Sequence, residues 1–254
     1  MSGGHAHGLF VHRDSPVHRL APQCKVLAAF LFVLAVVATP PEAFWAYGLY
    51  ALLLAGVARR AQISPWWVAK RLLIETPFVL FALFLPLIGG GERVDVLGVS
   101  LSIDGLWGAW NILAKATLGL FTTVLLGATT PIAEILHGLE HLRMPRLFTA
   151  IAGFMVRYAD VITGEVTRMR IARESRGYDP RWFWQARAIA ASAGTLFIKS
   201  FERGERVYLA MVSRGYSGSM PLDHDPMVPL SRWAAALALP VLASMVSALA
   251  WMTR

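Results

Sequence analysis

The sequence predicts an all-α integral membrane protein with five transmembrane helices and three cytoplasmic helices between the fourth and fifth spans. Three observations carry this. Hydrophobic residues make up 56% of the 254 positions and charged residues only 16%, a balance far more apolar than that of an average soluble domain. The apolar residues gather in stretches able to cross a hydrocarbon layer of about 30 Å at about 1.5 Å per helical residue. The cations sort into alternate intervals between those stretches, as they do when Lys and Arg are kept on one side of a membrane. The resulting organisation is an N-terminal part, 1–130, with four spans, a cytoplasmic part, 131–230, and a final span in 231–254.

The first twenty residues are polar and His-rich, with no apolar core followed by a processing site, so the first apolar segment is expected to stay as an anchor. Spans one and two, 24–39 and 42–58, are separated only by Thr39-Pro40-Pro41 and predict a tight helical hairpin. Cys24, the single cysteine, excludes an internal disulfide and reads as a small apolar residue at a helix start. Span three, 72–88, carries Pro77 and Pro86 as local breakers. The interval 89–104 opens with three glycines and continues with alternating Val-x-Val and Val-x-Leu-x-Ile, the pattern of a short outer hairpin. Span four is 105–128 and span five 232–252, with Pro240 inside it.

Arg13, Arg19 and Lys25 precede span one, Arg59, Arg60, Lys70 and Arg71 lie between spans two and three, and most of the remaining cations lie between spans four and five. These intervals are expected in the cytoplasm of an inner-membrane protein, with the N-terminus inside and the C-terminus outside. The net charge of +8 therefore belongs to membrane topology and not to nucleic-acid binding.

Three helices are expected in the cytoplasmic part. In 132–143, Ile132, Ile135, Leu136, Leu139 and Leu142 share one face, opposite Glu134, His137, Glu140 and His141. Pro145 opens a long helix reaching Ser175, whose apolar stripe runs from Leu147 through Phe154, Tyr158 and Ile162 to Met169. After the turn signal Asp179-Pro180, a third helix from Trp182 to Ser213 carries Leu196, Phe197, Phe201, Tyr208, Met211 and Val212. The two long helices are expected to cross through these faces. Trp182, Phe183 and Trp184 suit a membrane interface.

Both long helices finish on the same four residues, Ser175-Arg176-Gly177-Tyr178 and Ser213-Arg214-Gly215-Tyr216. Glycine past the last helical turn adopts the left-handed conformation that satisfies the final carbonyls. The preceding arginine sits at the negative end of the helix dipole and can grip a carboxylate with two prongs. A matched pair of such ends predicts a contact with two copies of one partner.

With these motifs the chain resembles the transmembrane coupling subunit, or T component, of energy-coupling-factor transporters. The two Ser-Arg-Gly motifs are similar to that family's paired Ala-Arg-Gly signature, and the run Glu-Arg-Val-Tyr-x-Ala-Met at 205–211 and the opening segment 14–25 also match. Within the family it looks most like the cobalt-type subunit CbiQ. The resemblance implies an ATP-driven uptake complex in which this chain is not an enzyme. Its two arginine motifs would dock on a dimer of ATP-binding-cassette subunits, which hold the ATP and magnesium. It would pass their closure to a substrate-binding membrane subunit, with a small accessory membrane subunit as a further partner and cobalt as the transported ion. Arg176 and Arg214 would be the anchors, Gly177 and Gly215 the stops, and Ser175 and Ser213 supporting polar contacts. The chain has no Walker motif of its own.

Other residue groups compete with this reading. His137, Glu140 and His141 have the spacing of an inverted zinc-protease motif, which would make the chain a membrane-embedded metalloprotease. A third ligand would have to come from Glu174, Glu202 or Glu205. His5, His7, His12 and His18 are weak metal candidates near the N-terminus. Lys115, with Asn111 one turn earlier, is an ionisable group within span four, and such a group marks a functional contact or a local pair, here with Glu75. It is a candidate contact for the substrate-binding subunit or, in an autonomous transporter, the centre of the substrate path.

Overall fold

A computed structural model describes residues 10–90, 92–96, 99–178, 186–218 and 228–253. The described residues form two compact units, one within 10–143 and 228–253 and the other within 144–218. In the first, α1 (Pro22–Ala38) and α2 (Phe44–Arg60) are the predicted hairpin. The next helical run is continuous from Pro65 to Ile88, as α3 (Pro65–Leu72), a single 3₁₀ turn (Leu73–Glu75) and α4 (Thr76–Ile88). The expected span at 72–88 therefore extends back over Lys70 and Arg71, and the Arg71 guanidinium lies 3.4 Å above the Trp67 ring, so that its charge is spread over an aromatic face.

The loop after α4 holds an antiparallel hairpin, β1 (Arg93–Val96) and β2 (Val99–Ser102), with Arg93 opposite Ser102. Ser102 then caps α5 (Ile103–Thr129) by accepting a hydrogen bond from the Gly105 amide at 3.1 Å, which satisfies one of the orphan donors of a helix start. Gly105 is obligatory for another reason. A Cβ there would lie 2.5 Å from the Leu85 carbonyl oxygen of α4, so α4 and α5 pack backbone to backbone.

α6 (Ile132–His141) follows, and α9 (Leu230–Met252) closes the unit. The core is built from Phe32 and Val36 of α1, Tyr47, Tyr50 and Leu54 of α2, Leu118 and Leu125 of α5, and Ala243 and Ala250 of α9. α9 meets the bundle through Ala236, Pro240, Ala243, Ser247 and Ala250, the small-residue spacing by which membrane helices approach closely. Tyr50 ties three elements together: its hydroxyl donates to the Ala243 carbonyl at 3.2 Å and lies 2.8 Å from Thr39 Oγ1. Cys24 is fully buried beside Ala28 and Ala236.

The outward surface of these helices is apolar. In α4, Phe78, Leu80, Phe81, Leu83 and Phe84 are exposed while only Ala82 and Pro86 are buried, an arrangement stable against lipid and not against water. The runs Pro65–Ile88, Ile103–Thr129, Arg146–Glu174 and Leu230–Met252 are each long and apolar enough to cross a membrane, and Pro22–Ala38 is a shorter apolar helix. The protein is thus a predominantly helical, multi-pass membrane protein. The span expected at 42–58 is helical but does not reach that length.

Of the three helices expected in 131–230, the first packs elsewhere. α6 lies on α1, and a Cβ on Gly138 would come within 2.9 Å of the Pro22 carbonyl carbon and the Gln23 amide. Glycine, which weakens an isolated helix, is what permits this contact. The second unit is left with two long helices, α7 (Arg146–Glu174) and α8 (Ala186–Val212).

Candidate functional site

α7 and α8 run antiparallel in one register. On α7, Phe154, Tyr158, Ile162, Glu165, Met169 and Arg173 are among the half-buried positions, and all but Met169 bond to α8 or line the groove against it. On α8 the corresponding positions are Met211, Val207, Arg203, Ser200, Leu196 and Ser192, the same spacing read backwards. Polar bonds fix the register at one end. Arg173 Nη1 donates to Ser192 Oγ at 2.6 Å, and Glu165 accepts from Lys199 at 2.5 Å and from Arg168 at 2.6 Å. At the other end Phe154, Tyr158, Ile162, Val207 and Met211 line an apolar groove of about 270 Å³.

The α8 stripe expected from the sequence is therefore divided. Leu196 and Met211 face α7, but Phe197, Phe201, Tyr208 and Val212 are exposed, Phe197 at 73%. On α7, Leu147, Phe148, Ile151 and Met155 are exposed as well. The positions facing α7 on α8 include Ser192, Ser200 and Arg203, so hydrophobicity alone could not find the seam. The 4-4-3-4-4 spacing common to both helices is the signal that could have.

The two Ser-Arg-Gly-Tyr ends are superposable in their bonding. The Gly177 amide donates to the Glu174 carbonyl and the Tyr178 amide to the Arg173 carbonyl; the Gly215 amide donates to Val212 and the Tyr216 amide to Met211. This crossed pair of bonds is the Schellman motif, which requires a left-handed residue at the glycine. Gly177 has φ +77° and Gly215 φ +86°. A Cβ on either would meet nothing within 4 Å, so backbone conformation and not crowding selects glycine.

The serines do not project outward. Ser175 Oγ donates to the Ala172 carbonyl at 3.1 Å and Ser213 Oγ to Ala210 at 3.0 Å, so both hydroxyls complete their own helix ends. Arg176 and Arg214 are exposed, and among the described residues neither has a carboxylate partner. The antiparallel register brings Arg214 alongside the start of α7 while Arg176 lies at its end. At 1.5 Å per residue the two arginines are separated along the pair by roughly 35–40 Å.

The other candidates are placed differently. His137 and His141 are exposed on α6, and among the described residues no group of three His, Cys, Asp or Glu side chains could hold a metal. His18 is committed to the fold: Nε2 donates to the Val11 carbonyl at 3.1 Å, which leaves Nδ1 to accept from Ser15 at 2.7 Å. Burial pushes its pKa down. His12 packs against the Phe10 ring, and His5 and His7 lie outside the described residues, as do Asp179, Pro180 and Trp182 to Trp184.

Lys115 does not reach Glu75. Its Nζ donates to the Val37 carbonyl at 2.8 Å, closing the end of α1, where the last carbonyls have no partner in the helix. Glu75 is buried and accepts from Thr117 instead, at 2.9 and 3.0 Å. The carbonyl oxygen of Asn111 is buried without a hydrogen-bond partner among the described residues.

A family model described as cobalt transport protein, CbiQ, matches residues 13–225 of this chain. The chain is 27% identical over 233 residues to a fused cobalt transport protein CbiMQ of Methanocorpusculum labreanum, covering 88% of this chain and 39% of that one. It thus spans well under half the length of that fused relative. Against energy-coupling factor transporter transmembrane proteins EcfT it is 24% identical over 229 residues in Staphylococcus aureus, with 84% of each chain covered. For the EcfT protein of Bacillus subtilis the identity is 28% over 229 residues, covering 83% of this chain and 84% of the relative.

Proposed function

Because the chain belongs to the CbiQ cobalt transport protein family, we propose that it is the T component of an energy-coupling-factor uptake transporter for cobalt, coupling two ATPase subunits to a substrate-binding membrane subunit. The observation that carries this reading is the pair of identical Schellman ends, each presenting one exposed arginine without a carboxylate partner among the described residues. They lie at opposite ends of one antiparallel helix pair. Two equal anchors set roughly 35–40 Å apart suit a dimeric partner that offers the same acidic groove twice, and a single binding site would need only one.

In this reading Arg176 and Arg214 each pair a carboxylate of one ATPase subunit. Gly177 and Gly215 end the helices without side chains, leaving open space beside each arginine. Ser175 and Ser213 hold the final turns in shape. ATP and magnesium are bound by the ATPases, whose closure draws the two anchors together and tilts α7 against α8. The seam is suited to such tilting, since its groove end is loosely filled while its other end is pinned by Glu165, Lys199 and the Arg173–Ser192 bond.

The exposed faces of α7 and α8, with Phe148, Met155, Phe197 and Phe201, give the substrate-binding subunit an apolar surface to ride on. Asn111 adds a polar contact to that subunit from within the bundle, while Lys115 is occupied with α1. The distribution of cations supports an inside N-terminus and an outside C-terminus in the cell membrane. The relative whose name describes it as a fused cobalt transport protein CbiMQ supports a further membrane component, a substrate-binding or small accessory one, as a partner.

The test is ATP-driven cobalt uptake by the assembled complex in liposomes, with Arg176→Gln and Arg214→Gln singly and together. The single variants should retain reduced uptake and weakened ATPase binding, and the double variant should lose both. Unchanged uptake in the double variant would overturn the coupling assignment.

A further inference from the structure

At the end of the bundle where α1 and α9 begin and α2 and α5 finish, an open groove of about 290 Å³ runs between the helices. Its walls are apolar, with Leu54, Leu125 and Leu239 among them, and its rim carries two cations, Lys25 and Arg60. Lys25 is only 6% exposed. Its ammonium donates to the His18 carbonyl at 3.2 Å and the Thr129 carbonyl at 3.0 Å. An ammonium has three N–H groups, so one is left over, and neither bond brings a counter-charge. The carboxylate within electrostatic reach is Glu134 on α6, and among the described residues no ion pair joins it to Lys25 or Arg60.

A buried cation without a paired anion is costly, and more so beside a membrane core. The groove matches a ligand that carries an anion at one end and hydrocarbon along the rest. We propose that it is a binding site for an anionic phospholipid, with the phosphate held by Lys25 and Arg60 and an acyl chain lying along Leu54, Leu125 and Leu239. A zwitterionic lipid would fit the walls but bring its own cation to a rim that already has two. Free phosphate would satisfy the rim and leave the apolar walls uncovered. Basic pockets between membrane helices are suited to such headgroups for the same reason.

The lipid also has a structural consequence. It touches α1, α2, α5 and α9 at once, so an occupied groove braces the end of the bundle from which α6 departs.

The experiment is native mass spectrometry of the full-length chain in neutral detergent, titrated with dioleoyl-phosphatidylglycerol, with dioleoyl-phosphatidylcholine, and with phosphatidylglycerol in the presence of inorganic phosphate. Arg60→Gln is the main variant because Arg60 is exposed, with thermal unfolding in the same detergent as the check that the fold survives; Lys25 is buried and is kept. Phosphatidylglycerol should be retained in preference to phosphatidylcholine. Arg60→Gln should weaken its retention about fivefold, the worth of one cation near a lipid headgroup, and Arg60→Lys should restore most of it. Equal retention of the two lipids, or an Arg60→Gln chain that binds phosphatidylglycerol like the parent, would overturn the proposal. Competition by millimolar inorganic phosphate would overturn it too, showing a site for a free anion.

Discussion

Replacing Gly177 by alanine isolates what the helix ends contribute, because the substitution changes one backbone preference and nothing else. At φ +77° the added Cβ would meet no atom within 4 Å, so there is no packing cost. The cost is that of holding a β-carbon in the left-handed region, about 1–2 kcal/mol. That energy is not felt as global unfolding, since the end is exposed and can fray, releasing the Tyr178–Arg173 and Gly177–Glu174 bonds while the bundle stays folded. If the ATPase binds only the capped form, its affinity falls with the capped fraction, by at most about 5- to 30-fold for that range of energies. Asparagine tolerates the left-handed region better than alanine, so Gly177→Asn should recover much of the loss. The same series at Gly215, where φ is +86°, should behave alike. The assay is binding of purified ATPase dimer to the detergent-solubilised chain by biolayer interferometry, with thermal unfolding as the control. Equal affinities for the glycine, alanine and asparagine chains would refute the view that capped geometry presents the arginine, as would a loss that asparagine does not relieve.

Gly138→Ala should lower stability by about 1–3 kcal/mol through overpacking, because its Cβ would press on the backbone of Pro22 and Gln23; thermal unfolding in detergent measures it. Glu165→Gln should loosen the α7–α8 seam, because it removes the charge that accepts from both Lys199 and Arg168; hydrogen exchange of the α7 and α8 amides should quicken at neutral pH.

Most of the apolar helices and both helix stops were legible in the sequence because each rests on a local signal, although the segment at 42–58 is shorter than a span and Arg146–Glu174, expected in the cytoplasm, is long and apolar enough to cross. Apolar length marks α1, α5 and α9, and the two glycines mark the ends of α7 and α8 with correct handedness. Interactions between elements were less legible. Lys115 and Glu75 looked like a pair at similar depth, yet each found a nearer partner, the Val37 carbonyl and Thr117, because an uncapped carbonyl and a hydroxyl satisfy a charged group without the geometry of an ion pair. Gly138, unfavourable in an isolated helix, is explained only by the α1 backbone packed against it, a contact between elements that no local pattern reveals. The stripe on α8 was misdivided because the seam uses Ser192, Ser200 and Arg203, whose small or long side chains pack without being apolar.

That polar seam bears on how the helix pair works. A seam of leucines would leave the angle of α7 and α8 under-specified, since non-directional packing admits many nearly equivalent side-chain arrangements. Here one end is fixed by directional bonds at Arg173–Ser192 and Glu165–Lys199, near Arg176, while the end near Arg214 rests on a partly filled apolar groove. Two identical anchors are therefore mounted on mechanically unequal ends. In the proposed complex, closure of a symmetric partner on both anchors would move the end near Arg214, backed by the open groove, more readily than the bonded end near Arg176, and the difference would tilt one helix against the other.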